Sequence, residues 1–227
     1  MIIELRVVHE RPNTALPDGE PAHIDSNGTE ITVQHARFSA FIDPFARTGT
    51  IRCLEGDRAF ATELTHRAAL SAILPLEGGV LLHSAGIVID GNAIAFFGPS
   101  GAGKSTLASL VEEPALSDEL ILIRRDGDAF VAEASGTWGE LGARPAIEGR
   151  FPLAHLVALG RGEHATLDSL GVHEAARLLI AVMVVPPQPE LWRAAMNVVE
   201  KLARLPTSRL RWTPSKENAR AVVSALR

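Results

Sequence analysis

A mixed α/β domain preceded by a small β-rich lobe is the fold this 227-residue sequence predicts, and three observations predict it. The first 56 or so residues set short β-branched stretches between Gly, Asn, Asp and Pro. Strand-like pairs then bracket a glycine-rich segment, GPSGAGKST, Gly98 to Thr106. Beyond residue 170, apolar residues recur mostly at helical spacing. The boundary falls near Pro75, giving a lobe of residues 1–76 and a main domain of residues 77–227.

Taken in order, IIELRVV, GTEITVQHARFSAFI and GTIRCLEG read as strands joined by turns. From Asp57 to Leu74, DRAFATELTHRAALSAIL has helical periodicity, and Pro75 marks its end. The segment GGVLLHSAGIVIDGNAIAFFGPSG holds two strands around Asp90-Gly91-Asn92, a strong hairpin signal. A short helix from Lys104 to Glu112 follows the glycines. ALSDELILIRRDGDAFVAEA reads as a second strand pair, turning at Asp126-Gly127-Asp128. After the turn-rich SGTWGELGARPAIEGRFPL comes one strand in AHLVALGRG. Two helices, VHEAARLLIAVMVV and PELWRAAMNVVEKLARL, precede a strand around SRLRWTP and a last helix, KENARAVVSAL. Hairpins surround the glycine-rich segment where a parallel sheet would need βαβ crossovers, so the expected sheet is mixed.

Composition narrows the partners. With 46% hydrophobic residues the chain can fill a sizeable core, and a formal charge of -5 with scattered Lys and Arg argues against nucleic acid. Cys53 is the only cysteine, so neither an internal disulfide nor a paired-cysteine zinc site is available. His155, His164 and His173 lack metal-ligand spacing. Apolar runs such as LLIAVMVVPP are too short to span a bilayer, and MIIELRVVHERPN does not read as a signal peptide. A cytoplasmic protein without membrane partners is expected.

The segment Gly98 to Thr106 satisfies G-x-x-x-x-G-K-[ST] through Gly98, Gly103, Lys104 and Ser105, with Gly101 as an additional glycine. Glycines let successive N–H groups turn inward as an anion-binding nest, so Pro99, Ser100, Ala102 and Thr106 are cradle residues with the motif positions. The loop also opens a helix, whose N-terminus favours anions. Lys104 is placed to reach β- and γ-phosphates, and the Ser105 hydroxyl to sit on Mg²⁺. ATP with Mg²⁺ is the expected cofactor.

Asp118 and Glu119, in LSDEL, follow the loop helix closely. A carboxylate there can hold Mg²⁺ directly or through water, or accept a proton from an attacking hydroxyl. On charge pattern alone, a solvated acidic turn is the favoured alternative.

The arrangement of a histidine, a hairpin, the loop, a short helix and an acidic pair resembles HPr kinase/phosphorylase and its smaller kinase-related cousins. His83 opens LLHSAGIVIDGNAIAFFGPSGAGKST, and Asp118-Glu119 stands at the acidic pair. The resemblance covers about Gly78 to Leu122, and the later elements loosely. It implies the mixed-sheet, P-loop fold shared with phosphoenolpyruvate carboxykinase. It places His83 near the transferred phosphate and makes Asp118 a metal ligand or general base. Glu119 departs from the family's second Asp, and the glycine-rich segment that serves the phosphorylase reaction is missing. SGTWGELGARP, with Trp138, Glu140 and Arg144, resembles the turn of the related kinases instead.

The expected activity is an ATP-dependent kinase acting on a hydroxyl, of Ser or Thr in a protein or peptide, with His83, Asp118 and Lys104 catalytic and Ser105, Asp118 and Glu119 around the metal. A non-catalytic ATP-binding sensor or assembly module and a small-molecule kinase are the alternatives. Arg124, Arg125, Arg144 and Arg150 are candidates for stabilising a transferred phosphoryl group, though solvated arginines are the commoner case. Phe151 and Trp138 are candidates to cover a base, though aromatics in such turns more often plug the core, and Trp192 and Trp212 read as core. The family's ring-forming habit raises a homo-oligomer, without a recognisable interface.

Overall fold

The computed structural model describes residues 3–12, 16–17, 19–27, 29–137, 139 and 147–227. The chain divides into two compact units, Met1–Glu77 with Val185–Ala194 and Gly78–Val184 with Ala195–Arg227.

The first unit is built on strands β1 (Glu4–His9), β2 (His23–Ser26), β3 (Ile31–His35), β4 (Phe38–Asp43) and β5 (Thr48–Cys53). They form one sheet in the order β1-β5-β4-β3-β2, antiparallel except for the β1–β5 pair. Alternation along β3 and β4 buries Ile31, Val33, Phe38, Ala40 and Ile42, and helix α1 (Arg58–Leu76) packs on the same sheet. Pro75 lies inside the last turn of α1, which ends one residue later at Leu76.

The second unit contains β6 (Val80–Ile89), β7 (Asn92–Phe97), α2 (Lys104–Leu110), β8 (Ala115–Ser117), β9 (Leu120–Asp126) and β10 (Ala129–Ala134). It continues with β11 (Phe151–Arg161), β12 (Thr166–Ser169), α3 (Val172–Ile180) and β13 (Met183–Val184). Helix α4 (Pro189–Leu202), which enters this unit at Ala195, is followed by β14 (Thr207–Trp212) and α5 (Lys216–Ala225). The sheet is mixed, in the order β10-β9-β6-β7-β11-β14-β12, with β7, β11 and β14 parallel. A further antiparallel pairing of β10 with β11 closes β10, β9, β6, β7 and β11 into a ring.

The β6–β7 hairpin turns on Asp90 and Gly91, at φ 48° and 79°, the double left-handed geometry for which an Asp-Gly pair is suited. Strand β6 is buried along its whole length except at His83. It changes partners midway: Val80–His83 pair with β9 and Leu81–Leu82 with β13, whereas Ser84–Ile89 pair with β7 and Gly86–Ile87 with β8.

Three sequence expectations need correction. Helix α3 stops at Ile180, because Met183 and Val184 leave the helical run to pair with β6. An apolar run such as LLIAVMVV suits either state, and tertiary pairing decides. Strand β12, a four-residue edge without a strand pattern of its own, forms by antiparallel pairing with β14. Trp192 is 37% exposed, since it sits one residue off the buried stripe Leu191, Ala195, Val198, Val199 and Leu202 of α4.

The core beneath the glycine-rich loop gathers Phe96, Leu107, Ala108, Val157, Leu210, Trp212, Ala219 and Val222 from sheet and helices. On the neighbouring strands His155 Nε2 lies 3.0 Å from Ser208 Oγ, and burial pushes the His155 pKa below its ordinary 6.5. The unfolded chain therefore takes up a proton below pH 6.5 that the folded protein resists, and stability falls with pH through that window. A His155→Gln variant should lose less stability than the wild type between pH 7.5 and 5, measured by urea melts at the two values. An unchanged acid sensitivity would assign the effect to other groups.

Candidate functional site

Residues 98–103 connect β7 to α2. Gly101 and Gly103 stand at φ 74° and 96°, left-handed geometry that disfavours side chains. A Cβ on Gly98 would lie 3.1 Å from Ala102 Cβ and 3.3 Å from the Leu159 carbonyl oxygen, so the backbone approaches its neighbours closely there. The Ala102 N–H donates to Pro99 O at 3.1 Å, and the Leu107 N–H to Gly103 O at 2.8 Å. Lys104 is 7% exposed, and its Nζ donates to Gly98 O at 3.1 Å and Pro99 O at 3.4 Å. Its burial lowers the ammonium pKa from the ordinary 10.5, while the Glu119 charge pulls the other way.

Loop residues Ser100, Gly101, Gly103, Lys104, Ser105 and Thr106 line a cleft of about 340 Å³ together with His83 and Glu119. His83 Nε2 lies 3.5 Å from Glu119 Oε2. His83 is carried by β6, and Glu119 lies in the break between β8 and β9. Ser84 N–H donates to Glu119 O at 3.1 Å, and His83 N–H to Val182 O at 2.8 Å. The Ser117 hydroxyl pins the break, accepting from the Glu119 and Leu120 N–H groups and donating to Thr137 O at 2.7 Å.

The acidic pair divides. Asp118 is fully buried, accepts the Gly139 N–H at 2.8 Å, and does not line the cleft, whereas Glu119 does. A Cβ on Gly139 would lie 3.1 Å from Glu119 Oε2 and 3.2 Å from Asp118 Oδ2, so backbone crosses close over both carboxylates. No sequence pattern marks Ser117 or Gly139, since neither belongs to a motif and Gly139 is 21 residues from its partner.

Arg124 and Arg150 lie 3.8 Å and 3.2 Å from Glu133, and Arg125 donates to Gly127 O and Asp128. None of these three lines the cleft. Phe151 is half-buried on β11, away from the cleft lining. Trp138, Glu140 and Arg144 lie outside the described residues. Among the described residues no group of three His, Cys, Asp or Glu could hold a metal ion, and no helix is long and apolar enough to cross a membrane. A magnesium ion in the cleft would therefore share its shell with ligand oxygens and water, as Mg²⁺ commonly does. Ser105 and Glu119, lining the same cleft, fit that mode.

These features define a mixed α/β protein in which a glycine-rich loop, a buried lysine and a His–Glu pair meet at one polar cleft. A family described as SynChlorMet cassette protein ScmC matches residues 67–202, more than half of the sequence, and the chain belongs to that ScmC family. The family shown is thus ScmC and not the HPr kinases its motifs resemble. Among solved structures, the HPr(Ser) kinase/phosphatase from Coxiella burnetii matches with a TM-score of 0.38 and 8% identity, over 64% of this chain and 87% of that one. A superposition that loose fixes no correspondence between residues. No curated protein matches the sequence.

Proposed function

We propose that this protein binds Mg·ATP in the cleft and transfers the γ-phosphoryl group to a hydroxyl, of serine or threonine in a protein or peptide. The observation that carries the proposal is Lys104, a buried ammonium held by loop carbonyls at the rim of a glycine-rich cleft that contains one carboxylate and one imidazole. The motif resemblance to HPr-kinase-related enzymes points the same way.

In this mechanism the main-chain N–H groups from Ser100 to Thr106, other than that of Ala102, which donates to Pro99 O, and the Lys104 ammonium hold the triphosphate. Ser105 and Glu119, which line the cleft, would hold Mg²⁺, with Asp118 supporting the acidic turn from beneath. When bound, the ion neutralises charge on the β- and γ-phosphate oxygens. His83, paired with Glu119, takes the acceptor's hydroxyl proton as the oxygen–phosphorus bond forms and the bond to the β-phosphate oxygen breaks, leaving ADP. Such transfer needs mainly positioning and charge neutralisation, which these few groups supply.

A non-catalytic sensor has one observation in its favour, the burial of Asp118 away from the cleft. Calorimetry with Mg·ATP, followed by labelled ATP incubated with separate protein and metabolite fractions, separates the readings. Binding with label on protein is the expected outcome. Binding with no ADP over hours supports the sensor, and label on a metabolite supports a small-molecule kinase. An absence of Mg·ATP binding would remove all three.

A further inference from the structure

We infer that Trp212 is a positioning residue that holds the glycine-rich loop in its binding shape, an inference that rests on the nucleotide-binding reading for its functional consequence. Strand register locates it. Phe97, the last residue of β7, is level with Ala158 of β11, which is level with Arg209 of β14. Trp212 stands three residues further along β14, about 10 Å beyond the end of β7, at the height of the loop. Its indole faces Gly103: a Cβ on that glycine would lie 3.5 Å from Cζ2 and 4.0 Å from Nε1.

The contact reaches both sides of the loop's last turn. Trp212 is 2% exposed and shares one apolar cluster with Leu107 and Ala108 of α2, with Ala102 packed against it. The backbone behind the indole is itself fixed, because Gly162 N–H donates to Trp212 O at 3.1 Å and the Thr213 hydroxyl to Gly162 O at 2.6 Å. Gly103 is the pivot between loop and helix, a residue with wide conformational freedom held at φ 96°. A rigid planar wall beside it removes the alternatives that glycine would otherwise visit. The amide of Lys104 and the amides before it then stay aimed into the cleft. Trp212 also lies outside the stretch matched to the ScmC family, residues 67–202, so no family assignment bears on it.

Hydrogen exchange of the ligand-free full chain tests the positioning. In Trp212→Leu the amides of residues 100–104 should exchange about tenfold faster, with β7 and β11 unchanged. Trp212→Phe, which keeps a ring but loses the edge facing Gly103, should show about a threefold increase, and it carries the comparison if the Leu variant does not fold. Unchanged loop exchange, or loosening spread evenly over β7, β11 and β14, would overturn the inference and leave Trp212 a core residue. Calorimetry with Mg·ATP then reads the consequence, a Kd about tenfold weaker in Trp212→Leu. Normal affinity in a loosened loop would also overturn it. A wild-type chain that does not bind Mg·ATP would defeat the nucleotide reading, while the exchange experiment would still decide the positioning.

Discussion

A Lys104→Met variant is expected to bind Mg·ATP about 100-fold more weakly while remaining folded, because charge-assisted bonds to phosphate contribute about 1.5–3 kcal/mol each. Methionine keeps the apolar stem that fills the space at the start of α2 and removes only the ammonium. In the ligand-free protein that ammonium donates to two carbonyls, Gly98 O and Pro99 O, and its burial already disfavours the charge. The two effects oppose one another, so the melting temperature should move little while affinity collapses. Calorimetry and a thermal melt on the same preparation give both numbers. Retained affinity would mean that the cleft does not take nucleotide through this lysine.

Phe96→Ala should lower stability by about 3–5 kcal/mol, the largest single loss anticipated in the second unit. Phe96 is fully buried beneath the glycine-rich loop, among Leu107, Val157 and Leu210. Truncation leaves a cavity bounded by sheet on one side and by α2 and α5 on the other. For a chain of this size the loss corresponds to a fall of roughly 10 °C in Tm, read by calorimetry and checked by urea titration. A loss below about 1 kcal/mol would mean that the cluster collapses to fill the void.

Local chemistry made much of this fold legible. Asp90-Gly91 announced its hairpin because few residue pairs tolerate two successive left-handed positions, and the glycine pattern from Gly98 to Gly103 announced the loop for the same reason. The α4 helix follows from its period, although a helical period alone does not separate Trp192 from the buried stripe one residue away. What stayed hidden depends on distant partners. Met183 and Val184 become strand only because β6 offers them a free flank. Nothing in the string Ser117-Asp118-Glu119 tells which carboxylate reaches solvent, since the answer comes from Thr137 and Gly139 closing over the turn. The packing of Trp212 against Gly103 joins positions 109 residues apart, beyond any local pattern.

The mid-strand exchange of neighbours along β6 has a consequence for how the protein can evolve. A single-residue deletion between Val80 and Leu82 would swing His83 and the rest of the strand to the opposite side and carry His83 away from Glu119. Length changes are tolerable only at tips such as Asp90-Gly91, where the chain is exposed and commits nothing to the cleft wall. Within β6, substitution is the only route open, and His83 is the one position where it would not disturb buried packing.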